Sequence, residues 1–135
     1  MINNNPDRTQ VLRTAAQRAA LAPSIHNTQP WRFRLRHGTL EMRTDPERQL
    51  QVLDPAGRQI AISCGCALFN ARVAVAASRY AFTVERWPDP AEPDLFARIT
   101  LGEPAAPWTP LVRLDPAIDR RQSNRREFFE DRVPE

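Results

Sequence analysis

The stretch Ala22-Pro23-Ser24-Ile25-His26-Asn27-Thr28-Gln29-Pro30-Trp31-Arg32-Phe33 gathers hydroxyl, imidazole and amide side chains between two prolines. Proline fixes φ and removes a backbone donor, so the loop is stiffened at both ends. Short polar side chains on a loop held by a rigid scaffold can converge on one ligand. His26 is the one group there that could exchange a proton near neutral pH, although a loop histidine serves equally as a hydrogen-bonding group. A catalytic residue is therefore not identified from the sequence. The second chemical feature is the run Arg120-Arg121-Gln122-Ser123-Asn124-Arg125-Arg126. On a helix, Arg121 and Arg125 would project from one face, with the Ser123 hydroxyl between them. Guanidinium groups and a hydroxyl in that arrangement suit a phosphate monoester, through charge-assisted bidentate contacts. The same residues also read more plainly, as a helix end at Ala22-Pro23 and as a solvated basic patch.

The elements that must hold these groups follow from periodicity. Asn5-Pro6 is a helix start, with Asn as cap and Pro at the first helical position. Val11, Leu12, Ala15 and Ala19 continue it at helical spacing up to Leu21. Trp31 to Thr44 reads as a hairpin: Trp31, Phe33 and Leu35 alternate, His37-Gly38 turns, and Leu40 and Met42 alternate again. A polar connector with turn chemistry at Asp54-Pro55-Ala56-Gly57 leads to a second helix. There Ile60, Cys64, Ala67, Leu68, Ala71 and Val75 share one face, while Phe69, Val73 and Ala76 make the other apolar too. A helix apolar nearly all round is covered by other elements. Phe82 and Val84, with Trp87 at the end, form a short strand, and Leu95 to Leu101 alternates as another. Glu103 to Pro110 is proline-rich and is the linker candidate.

Composition bounds what remains. The chain has 135 residues, 41% hydrophobic and 26% charged, enough for one modest domain. Its net charge of +3 and pI near 9.6 come wholly from arginine, since lysine is absent. Cys64 and Cys66 are too close for a helix-borne disulfide and too sparse for a zinc site, so they read as small hydrophobes and no metal is expected. Met1 to Asn5 shows neither the basic start nor the apolar run of a signal peptide, which makes the cytoplasm the expected setting. Asn70, Arg72 and Arg79 interrupt the most apolar stretch, so no membrane span is expected. Nucleic-acid binding through Arg120 to Arg126 is disfavoured: no aromatic side chains are interleaved, and Glu127, Glu130 and Asp131 follow at once.

The loop resembles the APSxxNxQPWxF segment of the FMN-dependent nitroreductases, matching at Ala22, Pro23, Ser24, Asn27, Gln29, Pro30, Trp31 and Phe33. The run from Arg121 to Phe128 is similar to the R-x-S-x-R-x-F run with which that family holds the FMN phosphate, with Phe128 one place late. Here the run follows the loop instead of preceding it. That order resembles the Acg-type branch, in which one long chain carries two nitroreductase-like halves packed as a pseudo-dimer.

The resemblance implies an α+β fold with a central helix on an antiparallel or mixed sheet, incomplete in this chain as the N-terminal half of the pair. Residues 1–102 would be the half-domain; 103–135 would be the linker and the start of the second half. It further implies FMN as cofactor and electron transfer from NAD(P)H to a nitro- or quinone-type acceptor. Pro23, Ser24 and Ile25 would line the ribityl and phosphate side, Asn27 would bond near the flavin ring and Gln29 would support the loop. Arg121, Gln122, Ser123 and Arg125 would hold the phosphate. Flavin binding without turnover is the alternative within the same resemblance. Trp31, Phe33 and the all-round apolar helix would then call for a second copy or a complementing second half.

Overall fold

The computed structural model describes residues 7–107 and 109–127. Helix α1, Arg8–Ala19, is capped by Asp7, whose Oδ1 accepts from the Thr9 amide at 3.3 Å. The cap anticipated at Asn5-Pro6 lies outside the described residues. The buried residues of α1 are Val11, Leu12, Ala15 and Ala19, and the helix stops short of Leu21, which is exposed.

Strands β1, Trp31–Arg36, and β2, Thr39–Thr44, form the expected hairpin, paired from Trp31↔Thr44 to Arg36↔Thr39. Its turn residues His37 and Gly38 have φ of 48° and 74°. Two successive left-handed residues make the turn that matches the right-handed twist of the strands. Strands β3, Tyr80–Arg86, and β4, Leu95–Pro104, complete an antiparallel sheet of order β1-β2-β4-β3. The fold is therefore α+β with a wholly antiparallel four-stranded sheet. Strand β3 ends at Arg86, so Trp87 falls outside it with a left-handed φ of 50°. Strand β4 runs on through Glu103 and Pro104, and the Ala105 amide still bonds the Arg79 carbonyl at 2.9 Å. The proline-rich stretch thus begins as the end of an inner strand of the sheet. Two short helices follow, α3 at Thr109–Val112 and α4 at Asp115–Arg120.

Between the two hairpins in chain order lies α2, Arg58–Ala77. Gly57 opens it at φ 70°, and the buried Asp54 carboxylate accepts from the Ile60 amide at 3.0 Å, doing the work of a cap. The anticipated face, Ile60, Cys64, Ala67, Leu68, Ala71 and Val75, is buried with α1 and the strand residues Leu40, Met42, Ala97 and Ile99. Val73 and Ala76 are covered by Leu111 and Ile118 of α3 and α4. Phe69, expected on that second face, stays 45% exposed and lies outside the cluster that Leu111 and Ile118 form there. Burying each large apolar side chain of this core contributes about 1.5–3 kcal/mol. By length and composition α2 could cross a membrane, but 61% of its apolar window is buried inside the protein, as in a core helix. Trp31 is buried in this same core, and the partly buried Phe33 stacks on it at 6.5 Å.

Candidate functional site

The Ala22–Phe33 loop is built by long-range anchors. Ser24 Oγ accepts from the Gln29 amide at 2.9 Å and closes the loop on itself. The Ile25 amide donates to Ser63 Oγ of α2 at 3.1 Å, and that hydroxyl in turn donates to the Gln59 carbonyl at 2.8 Å. The Pro30 carbonyl accepts from the Asp45 amide at 3.0 Å and from Cys64 Sγ at 3.6 Å. Arg48 donates to the Thr28 and Gln29 carbonyls, both at 3.3 Å. Within this frame His26, Asn27 and Gln29 adopt φ of 44°, 56° and 48°. Left-handed backbone costs a residue with a Cβ about 1–2 kcal/mol, and such conformations persist only where the surroundings over-determine them.

Residues 121–127 follow α4 without regular structure. Arg121 turns extended at ψ 131°, which ends the helix at Arg120 and removes the shared helical face expected for Arg121 and Arg125. The cause is local: Ser and Asn compete for backbone groups, and the Arg126 amide bonds Asn124 Oδ1 at 3.0 Å. Arg121 nevertheless reaches the loop. Its Nη2 donates to the Leu21 carbonyl at 3.1 Å and its Nη1 to Ser123 Oγ at 3.0 Å.

Helix α4 is set in place by Arg18 at the end of α1. Its guanidinium meets Asp119 at 2.6 Å and Asp115 at 2.9 Å, and Asn70 Nδ2 bonds its carbonyl at 3.2 Å. The bond to Asp119 raises the Arg18 pKa first, burial opposes it, and Asp115 adds to the rise.

The result is an apolar groove of about 470 Å³ lined by Pro23, Ile62, Phe69, Leu114, Ile118 and Arg121, among others. Of the residues expected to bind, Pro23 and Arg121 line it together, and Ser123 holds Arg121. Gln122, Ser123 and Arg125 line a separate open cleft of about 550 Å³ with Asn124 and Arg126. Ser24 and Ile25 act in the loop frame. Asn27 is exposed and pairs with Gln29 at 3.5 Å, and neither lines the groove. Among the described residues no group of three or more metal-ligating side chains occurs. Sequence reasoning missed the α2 contribution. Ile62, Cys66 and Phe69 recur at helical spacing, a signal hidden because the whole helix is apolar.

No protein-family model matches the chain. A Mycobacterium tuberculosis protein named "Putative NAD(P)H nitroreductase" is 42% identical over 123 residues, 91% of this chain and 35% of that protein. Over nearly its whole length the chain is thus similar to part of a protein named as a nitroreductase. A second protein of that organism, "Putative NAD(P)H nitroreductase acg", is 41% identical over 85 residues, 63% of this chain and 26% of its own length. The crystal structure of a "putative nitroreductase in complex with FMN" from Desulfovibrio desulfuricans superposes with a TM-score of 0.58 at 18% identity, covering 98% of this chain and 89% of that one. That likeness gives the fold. The chain spans about a third of the length of the curated relatives it matches, 35% for the first.

Proposed function

We propose that this chain supplies one wall of an FMN site in a nitroreductase-like oxidoreductase. The observation that carries the reading is the bond from Arg121 Nη2 to the Leu21 carbonyl, which brings the basic run to the start of the loop. The residues present fit such a cofactor chemically. A cation stands at one end of an apolar groove whose size lies in the range of about 300–1,000 Å³ usual for ligand pockets. Two of the five guanidinium donors of Arg121 are bonded among the described residues, and the rest are available to phosphate oxygens. Pro23, Ile62 and Phe69 would exclude water from one face of a flat ring system.

When bound, FMN would supply electron transfer from NAD(P)H to a nitro- or quinone-type acceptor, with the protein providing orientation and electrostatics. Ser63 and Arg48 hold the loop backbone, Arg18 holds α4, and Arg121 fixes the anionic end. Ile62, Phe69 and Leu114 remain 52%, 45% and 41% exposed along this groove. We attribute the second wall to a complementing half or a second copy.

The test is titration of the purified chain with FMN and with riboflavin, following flavin fluorescence. FMN should bind saturably, and Arg121→Ala should weaken it about tenfold or more while leaving riboflavin unchanged, since a charge-assisted bond is worth roughly 1.5–3 kcal/mol. Equal effects on both flavins would refute the phosphate role. Adding NADPH to the complex separates turnover, which bleaches the flavin, from binding alone.

A further inference from the structure

On the other side of the Phe69 ridge lies a second cavity, of about 360 Å³, between α2 and the end of the β3–β4 hairpin. Ala61, Leu68 and Phe96 contribute to its apolar lining, and Arg72, Arg86 and Trp87 bring charge and an indole. No carboxylate lines it. Arg18, Arg32, Arg43, Arg48 and Arg98 each have an acidic partner. The side chains of Arg72 and Arg86 have none among the described residues, and Arg72 Nε is buried without any hydrogen-bond acceptor. A buried donor without a partner is a rare and costly feature. Trp87 adds a second anomaly. A bulky residue at φ 50° is an outlier, held here by its amide bond to the Phe96 carbonyl at 3.1 Å. Strained backbone of this kind gathers at ligand clamps.

We infer that this cavity binds a small aromatic carboxylate, with the carboxylate on Arg72 and Arg86 and the ring among Leu68, Phe96 and Trp87. The guanidinium fork matches a planar carboxylate in two-point contact. An aromatic body covers the apolar lining, where a bare phosphate would leave oxygens facing carbon. The inference is independent of the flavin reading.

The probe is benzoate, titrated into the purified chain while tryptophan fluorescence and the thermal midpoint are followed. Saturable quenching and a rise in midpoint are expected, with benzyl alcohol and inorganic phosphate both weaker. Arg72→Met should weaken benzoate at least about tenfold, the loss of a charge-assisted bond. It should also raise the midpoint of the unliganded chain, because it removes the stranded donor. Arg86→Ala, an exposed change, should weaken benzoate without lowering that midpoint, and Trp87→Phe should reduce the quenching. Absence of saturable binding overturns the inference, as does an affinity that Arg72→Met leaves unchanged. Equal binding of benzyl alcohol would reduce the cavity to an apolar pocket, and tighter binding of phosphate would overturn the ligand class.

Discussion

Ser63→Ala tests whether the loop conformation is imposed from α2. Ser63 is buried, and its hydroxyl makes two bonds of unequal weight. The one to the Gln59 carbonyl duplicates an acceptor already used by the helix ladder, so its loss costs little. The one from the Ile25 amide has no substitute, and stranding a partly buried amide costs about 1–2 kcal/mol. Alanine returns up to about 0.5 kcal/mol through helix propensity. The net is about 1 kcal/mol, which for a domain of this size lowers the thermal midpoint by roughly 3–5 °C. The loss is local, so hydrogen exchange at the Ile25 amide should quicken about fivefold while the β2–β4 amides follow only the global change. Circular dichroism melting and exchange by NMR read both quantities. A midpoint within about 1 °C of wild type together with unchanged exchange at Ile25 would refute the anchoring role. A lowered midpoint with unchanged local exchange would place the cost inside α2.

Arg18→Met cuts the link between α1 and α4. Asp115 and Asp119 can return to water, so the cost should stay near 1–2 kcal/mol, and limited proteolysis between Ala105 and Arg121 should accelerate; unchanged cleavage would show that Leu111 and Ile118 suffice to hold the segment. Burial pushes the Cys64 thiol up to about 12 from 9.0. A raised folded value means stability fully present below pH 9.0 and lost as pH climbs toward 12. Denaturant titrations across that window should show an extra decline that Cys64→Val lacks. Gly38 sits at φ 74° with open space where a Cβ would be, so Gly38→Ala should cost about 1 kcal/mol through backbone strain alone, read as a lower denaturant midpoint at constant slope.

Legibility in the sequence divides by range. The His37-Gly38 hairpin, the Asp54–Gly57 turn and the buried stripe of α2 were readable because a few adjacent residues decide each. Arg121 and Arg125 misled for the opposite reason. Spacing of four places them on one face only if the backbone is helical, and nothing apolar in Gln122 to Asn124 ties that stretch to a core. The exposure of Phe69 was invisible because α2 is apolar all round, and which flank is covered depends on where α3 and α4 land.

The loop shows where local reading stops. Its residue types announced a polar site, and several of its polar groups are engaged in holding the loop itself. Ser24 spends its hydroxyl on the Gln29 amide, and the loop backbone is gripped by Ser63 and Arg48 from other elements. What reaches the neighbouring groove is Pro23, beside Arg121 from the far end of the described chain. The left-handed turns at His26, Asn27 and Gln29 are then the cost of fitting that short segment between fixed points at Ser63 and Pro30. Relieving any one anchor should let those residues relax toward ordinary backbone.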